Sequence, residues 1–369
     1  MLKIFRFKIL VTCLLPSELI CHCGANCTLN RRTSTTDGFT FRCKKGHELG
    51  MRKNSFFERS SYNIRDLIVF IKYYIEGHSL HMSAKCANME YKSTSVHWAS
   101  FIREMFCEYI YIYTEYEMIR FQGDVELDES LFGRKIKYNR GKPTWNRILI
   151  FGIIERSSNK IVMYPVDSRG ADVLIPLIQK RIEPGSRIFS DSWGAYSGLN
   201  RLGYEHCTVI HKTSFKQVYI NTETNEEVQC CTNRIEGAWE IAKDHFRRIN
   251  GTNSNLFEQH LCEIVWRNHV HRAGNIYASF FDLMKTIYTL DMAPRFTYTK
   301  PLFRTWTPPS KTDEARHNIT IVQGSDAESD GEEASTVDTS EPTGSSLPAS
   351  IDNSEKSKGQ AKPAVLEEM

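Results

Sequence analysis

Three acidic residues lying far apart in the chain, Asp128, Asp191 and Glu236, sit in local settings that could bring them to one place. Asp128 lies in DVELDES, whose alternation predicts a strand, and Asp191 closes the strand RIFSD, which follows the break at Pro184 and Gly185. Glu236 falls early in NRIEGAWEIAKDHFRRI, which has helical periodicity. If the two strands are sheet neighbours and the helix crosses their edge, three carboxylates converge. Convergent carboxylates repel one another, and the natural remedy is a pair of oxygen-liganded divalent cations, magnesium or manganese. Two such ions, about 3.5 to 4 Å apart, can activate a water or sugar hydroxyl on one side of a phosphodiester and stabilise the leaving oxygen on the other. Asp124, Glu126, Glu129 and Glu240 are local competitors, and any acid at a strand end can equally be a solvated surface group.

A second constellation is CHCGANCTLNRRTSTTDGFTFRCKKGH, which sets Cys21, Cys23 and Cys27 before a hairpin and Cys43 with His47 after it. Zinc takes four soft or borderline ligands, often as two close pairs brought together by a hairpin. The spacing here is irregular, with no pair of cysteines separated by two residues, so a zinc-ribbon-like site and a metal-free hairpin with free thiols both fit. Candidate phosphate contacts are Lys243, seven residues after Glu236 on one helix face, and the loop GRKIKYNRGK, which holds Arg134, Lys135, Lys137, Arg140 and Lys142 with Tyr138. Each of these also reads as an ordinary solvated group, although the loop would equally suit a nuclear import signal.

The elements that must position these groups follow in order. IRDLIVFIKYYIEG predicts a helix ending at Gly77; His81–Met89 and Thr94–Tyr109 predict a helix-turn-helix-like pair capped at Thr94 or Ser95. A plain helical hairpin packed on the core is the other reading of that pair. Next come DVELDES, NRILIFGIIER and KIVMYPV, the last two joined by a turn at Ser157, Ser158 and Asn159. A helix over Ala171–Arg181, the strand RIFSD, a short helix over Trp193–Leu199 and the strand YEHCTVI complete the alternation. His211–Cys231 reads as a looser stretch; helices over Leu256–His271 and Phe280–Leu290 follow the one bearing Glu236. This order predicts an α/β protein with an RNase H-like mixed sheet flanked by helices.

Length and charge fit that layout. A chain of 369 residues predicts two or three units. From Lys311 onward there are 13 acidic and 5 basic residues, leaving 42 basic against 31 acidic before it, so a basic body carries an acidic tail. A basic body suits a polyanion such as DNA. The tail is too polar to bury a core and is expected to be disordered. Eleven cysteines, four of them crowded between Cys21 and Cys43, argue against a disulfide scaffold. The start, MLKIFRFKILVTCLLP, has the basic and apolar parts of a signal peptide, but no small-residue cleavage site follows and its apolar run is too short to span a bilayer. No membrane partner is expected.

Taken together, VELDESLFGRK, FGIIERSSNKIVMYPV, IFSDSWGAYSGL, GYEHCTVIHKTSF and TNRIEGAWEIAK, in this order, resemble the Merlin transposases and their bacterial insertion-sequence relatives. The resemblance covers roughly residues 120 to 270, more weakly the segments before them. It implies DDE chemistry at Asp128, Asp191 and Glu236, with Asn233 and Trp239 completing the Asn-x-x-Glu-x-x-Trp motif and His211 at a matching position. It departs from the family in the ribbon, where Ile20 and Gly46 stand at expected ligand positions. The implied layout is a degenerate zinc-ribbon-like domain at 17–58, a helical region at 59–119, a catalytic domain at 120–292 and an acidic tail at 308–369. The implied activity is cleavage at the terminal inverted repeats of a transposon and transfer of 3′ hydroxyls into target DNA, in the nucleus, by at least a dimer, with two magnesium or manganese ions and, if the ribbon is intact, zinc. Two rivals are a domesticated DNA-binding regulator without catalysis and an RNase H-like nuclease.

Overall fold

The computed structural model describes residues 14–117, 119–133, 148–209, 217–220, 227–271, 274–290, 296 and 302. Four short strands come first: β1 (Leu19–Ile20), β2 (Asn26–Arg31), β3 (Phe39–Cys43) and β4 (Glu48–Gly50), forming an antiparallel sheet in sequence order. Leu19, Cys21, Cys27, Phe41 and Cys43 make up a core of their own.

Three helices follow. In α1 (Ile64–Ile75) the Asn63 side chain accepts from the Asp66 N–H, and in α2 (Leu80–Cys86) the Ser79 hydroxyl accepts from the Met82 N–H, each satisfying an orphan donor at the helix start. The third, α3 (Thr94–Tyr111), begins after Ser93 rather than at a Thr94 or Ser95 cap, and Ser93 makes no side-chain capping bond. Ser95 instead turns back to the Tyr91 carbonyl, so its hydroxyl is spent before the helix begins. Helix α2 stops at Cys86, three residues short of the expected end, with Asn88 in a left-handed conformation at φ 51°. Helix α3 runs along a later helix, α6 (Ser254–Val270), with Phe106 stacked on Trp266 at 4.5 Å. Packing against α6 is thus the observed role of one face of α3.

The central sheet has five strands in the order β7-β6-β5-β8-β9. Strands β5 (Asp124–Phe132), β6 (Ile148–Glu155) and β7 (Ile161–Val166) are antiparallel, whereas β8 (Arg187–Asp191) and β9 (Glu205–Val209) run parallel to β5. This is the mixed sheet the sequence predicts. Asn159 supplies the left-handed residue of the β6–β7 turn at φ 60°. The edge strand β7 accommodates Pro165, which cannot donate to an inner ladder. Helix α4 (Ala171–Arg181) links β7 to β8; the predicted helix after β8 is two 3-10 turns, Gly194–Tyr196 and Leu199–Leu202.

The stretch expected to be loose holds a hairpin, β10 (Gln217–Ile220) with β11 (Glu227–Cys230). It delivers the chain to α5 (Asn233–Arg248), which lies over β5 and β6. Helix α7 (Ile276–Ile287) closes the described core; it begins four residues earlier than expected because Asn275 accepts from the Tyr277 and Ala278 N–H groups and so caps it there, and it ends three residues before the expected Leu290. The basic loop from Arg134 to Lys142, with Lys135, Lys137 and Arg140, lies outside the described residues, as do His211 and the acidic tail.

Candidate active site and cysteine cluster

The site is built on β5, where Asp124, Glu126 and Asp128 alternate with Val125 and Leu127, so that three acids share one face over the first half of the strand. Strands β5 and β8 pair in parallel through Glu126 and Phe189; Asp128 and Asp191 each lie two residues further on and therefore occupy the same face. They come where the two strands part. The Trp239 indole N–H, from α5, donates to Asp128 Oδ2 at 2.8 Å. Burial pushes the Asp128 carboxyl up to about 7; the indole N–H works against that shift, while the negative charges of Glu129 and Asp191 add to it.

Trp239 reaches Asp128 by lying over β6. Gly152 is paired with Asp128 across the ladder, and a Cβ there would stand 2.6 Å from the indole ring. Only a bare backbone position leaves room for the ring. A mid-strand glycine in ILIFGIIE was the sequence signal for such an approach.

Helix α5 is held onto β5 by Glu126, which is fully buried. Its Oε2 accepts from the backbone N–H groups of Arg234 and Ile235 at 3.0 and 3.1 Å, and its Oε1 from Arg156 at 2.8 Å. A carboxylate at a helix N-terminus satisfies orphan donors and the helix dipole together. Glu236 follows in the first turn, exposed, with its Oε1 accepting from the Thr232 hydroxyl at 2.9 Å. It lies at helical spacing from Trp239 and Lys243, and Asp128 is the largest influence favouring the charged form of the partly buried Lys243 ammonium, whose pKa burial lowers.

The structure thus sets Asp128 and Asp191 on one face, with Trp239 and Lys243 near Asp128, and puts Glu236 at the start of the helix that carries both. The three carboxylates are not among the clusters of described residues whose ligand atoms all lie within 4.8 Å of one another. The local competitors are otherwise engaged: Asp124 pairs with Arg187 at 3.4 Å, Glu240 pairs with Arg247, and Glu129 binds Arg169 at 2.7 Å and the Tyr196 hydroxyl. Arg169 also approaches Asp191 at 3.7 Å. Sequence reasoning missed Arg169, which stands 22 residues before Asp191 with no motif around it.

The cysteine cluster is tighter. One ligand atom from each of Cys21, Cys23, Cys43 and His47 falls within 4.8 Å of all the others. Cys21 Sγ is 3.3 Å from His47 Nδ1, and Cys23 Sγ is 3.8 Å from Cys43 Sγ. Two turns with the same design present them: the Cys21 N–H donates to Ala25 with Gly24 at φ 80°, and the Cys43 N–H donates to the His47 carbonyl with Gly46 at φ 86°. Gly46, which displaces the expected ligand by one place, is what makes the second turn possible. Cys27 is not in the group; it sits opposite Cys43 in the ladder and packs in the small core.

Another cluster with metal-ligand side chains, His245, His260 and Glu263, is wholly buried. Arg267 donates to Glu263 Oε1 at 2.8 Å, Tyr74 donates to Oε2 at 2.9 Å, and Arg103 donates to the Tyr74 hydroxyl at 3.2 Å. Two guanidinium groups already neutralise this carboxylate, so it holds helices α1, α3 and α6 together rather than a cation.

Residues 120–269 match the sequence profile of the ISXO2-like transposase domain. An uncharacterized transposase-like protein of Haemophilus influenzae is 27% identical over 108 residues, covering 29% of this chain and 80% of that protein. Among solved structures, the HTLV-2 integrase catalytic core domain in complex with magnesium aligns at 10% identity over 40% of this chain and 85% of its own, with a TM-score of 0.23. The Mos1 transposase paired-end complex with left transposon end aligns at 11% identity over 60% and 81%, with a TM-score of 0.19. Structural overlaps this weak carry no argument. No helix among the described residues is long and apolar enough to cross a membrane. The profile match and the Haemophilus relative support a transposase family for this region of the chain.

Proposed function

We propose that this protein is a DDE transposase of the Merlin branch, with an RNase H-like catalytic domain that cleaves the ends of a DNA element and transfers its 3′ hydroxyls into target DNA. The observation that carries the reading is the pair Asp128 and Asp191, set on adjoining strands beneath the helix that bears Glu236.

The donor set suits magnesium or manganese. It consists of carboxylate oxygens, and the Asp128 carboxyl, pushed up to about 7 by burial and neighbouring negative charge, is a group whose ionised form gains from an added cation. Asp128, Asp191 and Glu236 would hold two such ions, which supply Lewis-acid activation of the attacking oxygen and charge stabilisation at the leaving oxygen. The protein's own part is positional. Trp239 orients Asp128, Glu126 fixes the start of α5, the turn that carries Glu236, and Lys243 offers a cation for a DNA phosphate.

The ribbon belongs to the same proposal. Three thiols and an imidazole within 4.8 Å fit zinc in type and number, with Cys21, Cys23, Cys43 and His47 as ligands and Cys27 as core. The ribbon and α1 to α3 would recognise the terminal inverted repeats, two of which imply at least a dimer on DNA, acting in the nucleus.

The test is incubation of the full chain with magnesium and labelled duplex DNA ending in the inverted repeats that flank its gene, beside Asp191→Asn. Cleavage and joining that both depend on Asp191 support the transposase. Cleavage without joining identifies a nuclease, and metal-independent binding without cleavage identifies a regulator.

A further inference from the structure

Trp193 follows Asp191 by two residues and is 42% exposed, an unusual setting for the largest apolar ring in the protein alphabet. It is not loose. Its backbone N–H donates to Asp191 Oδ1 at 3.1 Å and its indole N–H donates to the Arg169 carbonyl at 3.0 Å. The Arg169 guanidinium lies over the ring, 4.5 Å from its centre, and its own side chain is 40% exposed. Arg169 is fixed in turn by Glu129, whose side chain is 1% exposed and whose other oxygen accepts from Tyr196. An exposed aromatic ring with both of its N–H groups tied down has lost its rotational freedom before any partner arrives, and that is what a pre-organised contact surface requires.

We propose that the Trp193 indole and the Arg169 guanidinium form a stacking site for an unpaired nucleobase next to the scissile phosphate. The idea rests on the transposase reading and deepens it by naming how the strand end is held. Both groups are planar and offer faces on which a base of any sequence can stack. The guanidinium, 3.7 Å from Asp191, adds positive charge for the adjoining phosphate on the Asp191 side of the cluster. Inside a duplex each base is paired and stacked on both faces, so it offers the ring no free face. A frayed or single-stranded end does, so the site would favour DNA whose last pairs have opened, the state in which a strand end can enter a two-carboxylate site.

The experiment uses the full chain, calcium in place of magnesium so that binding is read without turnover, and two fluorescein-labelled probes: a blunt duplex and the same duplex with a short single-stranded thymidine extension. A third probe carries 2-aminopurine within the extension, whose fluorescence is quenched on stacking. Trp193→Ala is expected to weaken binding of the extended probe by roughly tenfold, about 1.4 kcal/mol, and to abolish the quenching, while leaving the blunt duplex unaffected. Trp193→Leu, which keeps an apolar side chain without a π face, is expected to behave the same, and Trp193→Phe to retain both signals. Equal weakening on blunt and extended probes, or quenching that persists in Trp193→Ala and Trp193→Leu, overturns the proposal. If the wild-type protein cleaves element ends in an Asp191-dependent way and Trp193→Ala binds the extended probe normally, the stacking site alone is wrong. If the wild-type protein binds neither probe, the stacking site and the transposase reading fall together.

Discussion

Asp128 on β5 and Glu263 on α6 are both acids withdrawn from water, yet their surroundings differ in kind. Glu263 is met on both oxygens by Arg267 and Tyr74, with Arg103 behind the tyrosine. Burial works against its charge, but Arg267, His245, His260 and Arg103 outweigh burial and hold its pKa below the ordinary carboxylate range. Asp128 receives an indole N–H, and its nearest charged neighbours include two further acids, Glu129 and Asp191, so its pKa rises to about 7. A carboxylate supplied with its own cations has a structural task. One placed among other carboxylates lacks such compensation, and under the proposed function a metal would supply it.

The widest separation should appear when each acid is neutralised. Asp128→Asn is expected to lower magnesium-dependent cleavage of element-end DNA on the order of 10⁴-fold, the scale seen when one member of a catalytic unit is removed. Its thermal midpoint without metal should be equal to or above that of wild type, and a clear loss of stability would erase the contrast. Glu263→Ala should do the reverse in stability: it removes the carboxylate that accepts from Arg267 and Tyr74 and leaves the nearby Arg103 charge uncompensated, and denaturant unfolding should show a loss of about 3 to 5 kcal/mol.

Acidity separates the two sites next. A folded pKa raised from 3.8 to about 7 means that the native state holds the Asp128 proton where the unfolded chain has released it. The stability this contributes is full below about pH 4 and is lost as pH rises through 7, a change on the order of a few kcal/mol in metal-free protein. Glu263, with its pKa held down, contributes above the ordinary carboxylate range and loses that contribution as pH falls. Chemical unfolding across this span, with EDTA, in wild type and Asp128→Asn should show the falling limb in the former only.

Gly152→Ala is the mildest change and probes how Asp128 is held. The added methyl group meets the Trp239 ring, which must shift or push the helix outward, at a cost of about 1 to 3 kcal/mol, read as a lower unfolding midpoint and weaker cleavage. An unchanged protein would mean that Trp239 has another resting place.

These contrasts also show what could be read from the chain without its fold. The strands were legible because β6 and β7 are runs of apolar residues bounded by turn residues, and α5 because its apolar positions recur at helical spacing. The hairpin of β10 and β11 was not: QVYI and EVQC are four residues each and carry polar side chains at every other place or more, too short for alternation to register. Among the acids, Asp128 and Asp191 were chosen by motif order, but the tasks of Glu126 and Glu129 were invisible. The partners of Glu126 lie 30 and 108 residues away and those of Glu129 lie 40 and 67, and only the folded sheet brings them near. Spacing likewise could not separate Cys27 from Cys21 and Cys23, since which thiols share a face depends on the turn at Gly24.

Gly152 has one more effect. Seven of the eight residues of β6 are apolar or glycine, so no pattern of inward and outward side chains prevents the strand from slipping along its neighbours by a residue. Slippage would bring Phe151 or Ile153 under the indole, where neither fits. The single gap in that row of side chains therefore acts as a keyway, which admits the tryptophan at one point of β6 and so ties the register of that strand to the helix above it.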